Sequence, residues 1–169
     1  MDEARQSLIV VSNTSPLTNL AAIGQFDLLQ KLFGSLYVCQ AVIGELSADG
    51  QMWPGAAETN TASWIDVHRV VDRHTVDALR LGLDAGEAET IALALQLGAD
   101  LVLLDEQAGR RAAQYLDLNV MGVVGLIVRA RQRELVPAVR PLLDDLRQLA
   151  GFYLSESVYN HALDLAGEG

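Results

Sequence analysis

The chain has 169 residues, half of them hydrophobic and a fifth charged, and a net charge of −10 at pH 7. This length and composition suit about one packed domain and exclude an intrinsically disordered chain. The longest uncharged apolar run, MGVVGLIV, is far shorter than the roughly 20 residues of a membrane-spanning helix. The opening residues, MDEARQS, lack the basic region of a secretion signal, so we expect a soluble, unsecreted protein.

The single cysteine indicates the cellular compartment, and the scarcity of lysine indicates which partners the chain can bind. Cys39 ends an apolar run and cannot form an internal disulfide, which fits a small buried residue in a reducing cytoplasm. Lys31 is the only lysine among twelve basic residues, so the chain lacks a polybasic surface for nonspecific nucleic-acid binding. A nucleic-acid substrate therefore requires a few arginines or a metal ion to offset repulsion.

Five short β-type runs alternate with helical stretches along the chain. The runs cover residues 8–11, 36–39, 64–67, 101–104 and 119–122. The plainest helical patterns lie between them, at Ala85 to Leu97 and at Gln107 to Leu116. This alternation predicts βαβ crossovers, and the apolar character of the strands predicts helices on both faces of the sheet. The predicted fold is α/β, a three-layer α/β/α sandwich around a parallel sheet of about five strands.

Capping residues mark several helix boundaries. Small polar residues can cap a first helix that has Pro16 at its start, and Gly24 can end it. Asp84 and Gly98 are placed to cap the two ends of the long helix that follows. Residues 52–63 form the loosest stretch, which we expect to be a surface excursion containing some helix.

The last third of the chain follows a different pattern. Two amphipathic helices are predicted within residues 137–150 and 155–166, joined by the segment GFYL. Because this region lies beyond the last strand, it either covers the sheet or forms a partner interface. We predict a single domain over residues 1–169, in which 122–169 form a helical extension packed on the rest.

Four oxygen-bearing side chains are predicted at one edge of the sheet, where ligands of open parallel sheets bind. Asn13 directly follows the first strand, and Asp105 follows the fourth. Glu45 borders the apolar stripe of the helix after the second strand. Glu87 lies in the first turn of the long helix, and at about 100° per residue it points to the buried side. Glu89 points away, so we predict it as solvated surface.

Each acid also has a structural explanation. The helix dipole favours Glu87, Asp105 can be a helix N-cap, and Glu45 can be a surface residue. Taken together, the three acids favour a metal-binding role over a structural one, because three crowded carboxylates repel one another unless a cation neutralises them. The sequence therefore predicts Mg²⁺ or Mn²⁺ held by oxygen ligands.

Other polar and aromatic residues carry weaker signals. Arg110 and Arg111, one helical turn beyond Asp105, can meet a phosphate backbone, although Arg111 can equally be a surface charge. The three histidines show no paired metal-ligand spacing. Trp53 and Trp64 are isolated, and we predict them in the core rather than in a base-stacking platform.

The order of these motifs resembles the PIN-domain ribonucleases, specifically the branch related to VapC-type toxins of prokaryotic toxin–antitoxin pairs. The motifs are a strand with SNTSPL after it, a helix with an inward glutamate, LDAGEAETIALAL, and LVLLDE followed by two arginines. The run from Gly122 to Leu163 resembles a short module of unknown function that ends many proteins of this branch. Together the two resemblances cover nearly the whole chain.

The resemblance implies an α/β/α fold whose acidic site binds one or two divalent ions and hydrolyses RNA phosphodiester bonds. It also implies a small antitoxin protein as partner and a homodimer. By position, Glu45, Glu87 and Asp105 match acids of the family's site, and Ser15 matches a hydroxyl near the metal. The first acid of that set is usually aspartate, and here it is Asn13.

These matches complete the predicted site. The catalytic residues are Asn13, Glu45, Glu87 and Asp105, the metal ligands are Asn13, Glu87 and Asp105, and the substrate-binding residues are Ser15 and Arg110. An amide oxygen can bind Mg²⁺ or Mn²⁺ but brings no charge, so metal affinity falls. The alternative to a working enzyme is a catalytically impaired PIN-like protein that binds protein or RNA, with Asn13 capping the following helix.

A receiver-like phosphoacceptor domain also fits the fold class. The sequence disfavours it because no acidic pair follows the first strand and Lys31 belongs to an early helix.

Overall fold

The computed structural model of the protein describes residues 7–169. Within that range, five strands form one sheet: β1 (Val10–Ser12), β2 (Leu36–Cys39), β3 (Ile65–His68), β4 (Leu101–Leu103) and β5 (Val120–Met121). All neighbouring strands are parallel, and their order is β3-β2-β1-β4-β5. Each predicted run lies within two residues of an observed strand, and the predicted fold class is confirmed.

Helices flank the sheet and complete the α/β/α arrangement. They are α1 (Thr14–Ala22), α2 (Leu28–Phe33), α3 (Gln40–Leu46), α4 (Ala56–Thr61), α5 (Arg73–Leu79), α6 (Ala85–Leu97), α7 (Gln107–Tyr115), α8 (Val123–Gln132), α9 (Arg140–Gln148) and α10 (Glu156–Leu165), with a 3₁₀ turn at Ala48–Gly50. The long predicted helix is found unchanged as α6, and α7 ends one residue before its predicted end.

The strand order reverses between β1 and β4. From β1 the chain adds β2 and β3 on one side and then returns to place β4 on the other side. Val11 accordingly pairs with Tyr37 of β2 and with Val102 of β4. Ligand crevices in open parallel sheets lie outside the carboxyl ends of the strands at such a point. The residues that follow Ser12 and Leu103 therefore border the crevice.

Burial differs between the central and the edge strands. All residues of β1 and β4 are buried, as the apolar runs predict. In β3 the side chains of Asp66 and Val67 are exposed, so the prediction of two-sided cover is wrong for this strand. The reason is its place at the edge of the sheet.

The helix boundaries follow their capping residues. Asp84 and Glu87 form a capping box at the start of α6, and Gly98 ends it in the left-handed conformation with φ +62°. Pro16 lies in the first turn of α1. The loose stretch 52–63 contains α4, as predicted.

The aromatic predictions have mixed outcomes. Trp64 is partly buried and packs against Phe26, with ring centroids 5.6 Å apart. Trp53 is 45% exposed, so its prediction as a core residue is wrong. It follows the 3₁₀ turn after α3, in a run of exposed residues. Cys39 is a free, buried cysteine at the end of β2.

The C-terminal helices share the hydrophobic core with the sheet. Leu126 and Ile127 of α8 and Leu143 of α9 are fully buried in that core. Helix α8 contacts α1 and α10, so the C-terminal region approaches the crevice from the side of α1. No helix within residues 7–169 is long and apolar enough to cross a membrane.

Candidate functional site

Three consecutive residues after β1 reach three different parts of the fold. The contacts join Asn13 to Thr90 of α6, Thr14 to Glu45 of α3, and Ser15 to Asp105 after β4. Each side chain is short and carries its oxygen close to the backbone. This explains why a buried strand ends in small polar residues, since their hydrogen bonds gather α3, α6 and the end of β4 at the carboxyl end of β1.

Asn13 is buried, with 5% of its surface exposed. Its backbone N–H donates to the Leu103 carbonyl at 3.0 Å, which continues the pairing of β1 with β4. Although Asn13 occupies the N-cap position of α1, its side chain makes no capping hydrogen bond. Its Oδ1 instead accepts a hydrogen bond from the Thr90 hydroxyl at 3.4 Å. The amide is therefore directed to α6, and the capping explanation for Asn13 is not what the structure shows.

Glu87 combines a structural contact with an inward position. It is 6% exposed, and its Oε2 accepts the Asp84 N–H at 3.0 Å in the capping box. Its other oxygen, Oε1, faces α7, where a β-carbon added to Gly109 would lie 3.5 Å away. One carboxylate oxygen thus stabilises the helix end, and the second lies between α6 and α7.

The prediction that Glu89 is a solvated surface residue is wrong. Its side chain is 14% exposed and forms an ion pair with Arg73 at 3.6 Å. The cause is the packing of α5 against α6, which covers a face that the periodicity of α6 alone assigns to solvent.

Glu45 lies over the first turn of α6 and is partly buried. Its Oε2 accepts the Thr14 hydroxyl. A β-carbon at Gly86 would lie 2.7 Å from Cδ of Glu45. The missing side chain at Gly86 therefore allows the carboxylate to approach the helix.

Asp105 joins α1 to the C-terminal helices. Its Oδ2 accepts the Ser15 hydroxyl at 3.0 Å and the Asn19 amide at 3.5 Å. Its Oδ1 accepts the Val123 N–H at 2.7 Å, at the start of α8. The N-cap residue of α8 is Gly122, which has no side chain, so Asp105 supplies the cap from a distance. The predicted capping role of Asp105 is thus realised on α8, not on α7.

The two arginines of α7 differ in position. Arg110 is partly buried, and its Nη1 donates to the Leu104 carbonyl at 3.2 Å, beside Asp105. Arg111 is exposed. Of the two, only Arg110 is among the described residues that line the groove running from Asp105 along α8 and α10. Its role in substrate binding stays a prediction.

Burial raises the pKa of all three acids. For Glu87 the nearby charges of Asp84 and Glu106 raise the pKa further. For Asp105 hydrogen bonds, first that of the Val123 N–H, partly offset the effect of burial. The pKa of Glu45 is raised mainly by burial, against the hydrogen bond from Thr14. None of the three acids forms an ion pair with another residue of 7–169. The nearby charge of Arg110 offsets part of the rise that burial causes in the pKa of Asp105, but no arginine in the described part of the chain is among the causes that shift the pKa of Glu45 or Glu87. A cation or a proton is therefore left to neutralise most of this charge.

The donor set fits a hard divalent cation by its chemistry, since it consists of carboxylate, amide and hydroxyl oxygens. Within the described part of the chain, however, no group of three or more His, Cys, Asp or Glu residues is placed to hold a metal ion. The predicted ligands comprise the carboxylates of Glu87 and Asp105 and the amide of Asn13. A cation bound by these residues would need uncharged oxygen atoms as the remaining ligands of its coordination shell.

Sequence reasoning missed several supporting residues. Thr90 lies one turn after Glu87 on α6 and is a buried polar residue within an apolar run, which is a readable signal. Asn19 lies one turn after Ser15 on α1 and donates to its hydroxyl oxygen at 2.9 Å. The need for a bare backbone at Gly86 depends on α3 and has no local signal.

A cleft of about 350 Å³ gives access to this edge of the sheet. It is lined by Ser15, Asn19, Asp105 and Glu106 on one side and by residues 150–153 on the other. The segment that joins α9 to α10 therefore forms one wall of the site.

A family model described as a PIN domain matches residues 9–168 of the chain. The protein belongs to the PIN-domain family. PIN domains are generally nucleases that use divalent metal ions, which agrees with an oxygen-rich site at the sheet edge. Searches of curated proteins and of solved structures returned no match. The resemblance to the PIN family is thus confirmed, whereas the VapC-like branch and the C-terminal module stay predictions.

Proposed function

We propose that this PIN-domain protein is a divalent-metal-dependent endoribonuclease that uses Mg²⁺ or Mn²⁺. The observation that carries the proposal is the set of desolvated carboxylates at the switch point of the sheet. Glu45, Glu87 and Asp105 have raised pKa values there and no ion-pair partner among residues 7–169. Proteins keep such uncompensated acids together where a cation or proton transfer requires them.

The residues divide into three roles. Asn13, Glu87 and Asp105 would hold the ion, which when bound supplies an activated water and positive charge for the phosphate. Ser15 and Asn19 fix the orientation of Asp105 through hydrogen bonds.

Glu45 and Arg110 act on the reacting groups. The raised pKa of Glu45 suits proton exchange with water at the carboxylate oxygen that Thr14 does not engage. Arg110 offers its guanidinium to a phosphate at the edge of the crevice.

We further propose that the protein is the toxin of a type II toxin–antitoxin pair, of the VapC-like branch, and acts in the cytoplasm as a homodimer. A chain with net charge −10 and an acidic crevice suits a basic segment of a small antitoxin protein. A reading frame for such a protein beside this gene supports the toxin role, and its absence favours a nuclease that acts alone.

The first test is cleavage of a panel of structured and single-stranded RNAs with Mn²⁺, with Mg²⁺ and with chelator. The variant is Asp105→Asn, and its matched control is Asp66→Asn on the exposed edge strand. We expect metal-dependent cleavage that the first variant loses and the control retains. Cleavage that is equal in Asp105→Asn, or absent with every metal, would overturn the catalytic assignment.

A second candidate, a catalytically impaired PIN-like protein that acts by binding, is favoured by one feature. Asn13 contributes no charge, and no three acidic or metal-ligating residues converge within the described residues. Asn13→Asp separates the candidates. If the parent chain does not cleave RNA and Asn13→Asp does, the result supports the impaired protein. If the parent chain cleaves RNA and Asn13→Asp changes the rate only modestly, the result supports the enzyme.

A further inference from the structure

A groove of about 780 Å³ lies along α8 and α10 and opens at Asp105. We call it the C-terminal groove. Its wall along α8 includes Val124 and Val128, and its polar rim carries Arg110, Arg129 and His161. It is thus an apolar groove with basic groups along its edge. It begins at Asp105, which also belongs to the acidic site of Glu45, Glu87 and Asp105.

The charge of the C-terminal groove is opposite to that of the chain as a whole. Asp105 is the sole acid among the described residues that line it, although the chain has a net charge of −10. Neither Arg110 nor Arg129 forms an ion pair with another residue of 7–169. Arg110 does lie near Asp105, where its charge offsets part of the rise that burial causes in the pKa of that acid, whereas Arg129 has no acid beside it among the described residues that line the groove. Two arginines against one acid, set in an acidic protein, favour an anionic ligand at this place.

Two aromatic residues connect the groove to the site. Phe152 and Tyr153 line both the C-terminal groove and the cleft over Asp105. Tyr153 is 87% exposed, so the face of its ring is accessible. An exposed aromatic ring and arginines that line the same groove are the combination with which proteins bind single-stranded nucleic acid.

The segment that carries these rings is fixed at both ends. The Phe152 N–H donates to the Leu146 carbonyl at 2.9 Å. Arg147 donates to the Leu154 carbonyl at 2.7 Å. The exposed ring of Tyr153 therefore stands on an anchored backbone, which reduces the ordering cost of binding a ligand.

We infer that the C-terminal groove binds the single-stranded flank of the RNA whose phosphodiester bond lies at the acidic site. One base stacks on Tyr153, and Arg110 and Arg129 contact phosphates on the way out of the site. The strand is unpaired, because a base in a duplex keeps its faces stacked on its neighbours. This inference rests on the proposed nuclease function and names how that site holds its substrate.

The test measures RNA binding in chelator, where cleavage cannot interfere, by fluorescence anisotropy of a labelled single-stranded RNA. The variants are Tyr153→Ala and Arg129→Gln. We expect Tyr153→Ala to weaken binding about 5- to 150-fold through lost stacking. Arg129→Gln is expected to reduce the slope of log affinity against log salt by about 0.7, the share of one phosphate contact.

Two matched controls lie outside the groove and the cleft. Tyr115→Ala removes a tyrosine that is 88% exposed at the end of α7. Arg80→Gln removes an exposed arginine at the end of α5. Both are expected to bind RNA within about twofold of the parent chain, as typical surface substitutions do. Thermal unfolding of all four variants checks that they fold.

The outcomes separate this inference from the nuclease assignment. If the protein cleaves RNA and the groove variants match their controls in affinity and KM, the groove inference is wrong and the nuclease stands. If nothing is cleaved but binding depends on Tyr153, the groove stands and the nuclease fails. Failure of the parent chain to bind single-stranded RNA overturns the inference. The inference is also overturned if the groove variants bind RNA as the parent chain does but no longer bind a protein partner. That result would assign the groove to the protein partner.

Discussion

The carboxylates of Glu45, Glu87 and Asp105 are buried or partly buried, whereas the C-terminal groove presents an aromatic ring at the surface. Glu87 is buried and accepts the backbone N–H of Asp84, and Asp105 accepts that of Val123. Neither acid has an ion-pair partner among the described residues. In the C-terminal groove Tyr153 is exposed, and Arg129 lines the same groove. Under the two proposals, cleavage depends on Glu87 and RNA retention on Tyr153, so substitutions at these positions can separate the two.

The largest effect is expected from Glu87→Gln. Loss of one carboxylate ligand weakens metal binding, and because a bound ion is worth several kcal/mol in the transition state, the single-turnover cleavage rate falls by about 100-fold or more. The fold persists, because glutamine can replace glutamate in the capping box with Asp84. RNA affinity in chelator is unchanged or slightly higher, since one negative charge near the phosphates is gone. Cleavage rates and anisotropy together measure both effects.

Glu58→Gln is the control for this variant, because Glu58 is an exposed glutamate in the first turn of α4. It is expected to retain the parent rate. Full activity in Glu87→Gln would show that Glu87 serves only to cap α6.

The second prediction concerns the bare backbone at Gly86. In Gly86→Ala the new methyl group meets the end of the Glu45 side chain, so the carboxylate must move while the fold tolerates the change. We expect cleavage to fall about 10- to 100-fold, the cost of a displaced catalytic group. RNA binding in the C-terminal groove is expected to stay the same.

Gly44→Ala is the matched control, because no atom lies within 4 Å of a β-carbon added there in α3. It is expected to keep activity and to gain about 0.5–1 kcal/mol in the free energy of unfolding. Equal cleavage by Gly86→Ala and Gly44→Ala would show that the position of Glu45 does not matter for catalysis.

The third prediction follows from the raised pKa values of Glu45, Glu87 and Asp105. A carboxyl whose pKa is higher in the folded state binds more protons there than in the unfolded chain. The free energy of unfolding therefore falls as the pH rises above the ordinary values of 4.5 for glutamate and 3.8 for aspartate. Urea unfolding between about pH 5 and about pH 8 measures this decline.

A bound cation reverses that decline. At a concentration of 100 times its Kd, Mn²⁺ adds about 2.7 kcal/mol to the free energy of unfolding. Glu87→Gln is expected to show both a flatter pH profile and a smaller gain with Mn²⁺. No stabilisation of the parent chain by Mn²⁺ or Mg²⁺ at pH 8 would contradict a metal site among these acids.

The elements that sequence predicted best are those whose ends carry local signals. Asp84 and Gly98 define α6 to the residue, because capping depends on neighbours along the chain. The position of Asn13 at the crevice follows from its place after β1, since strand ends in an open parallel sheet share one edge.

What sequence could not provide depends on contacts between distant elements. The bond from Val123 to Asp105 spans 18 positions and links α8 to the end of β4. Glu89 is covered by α5, which its own helical periodicity cannot report. Periodicity describes one helix at a time, and the neighbours of that helix are set by the tertiary fold.

Glu89→Gln is expected to have the smallest effect. Its partner Arg73 has 55% of its side chain exposed, and such pairs contribute little, so the free energy of unfolding changes by less than about 1 kcal/mol. Because the charge of Glu89 helps to raise the pKa of Glu45, its removal shifts the acidic limb of the pH–rate profile slightly to lower pH. The rate at the optimum stays close to that of the parent chain. If Glu89→Gln instead lowers the cleavage rate as much as Glu87→Gln does, Glu89 is an essential acid of α6. The site would then extend to the side of α6 that faces α5, away from Asn13 and Thr90.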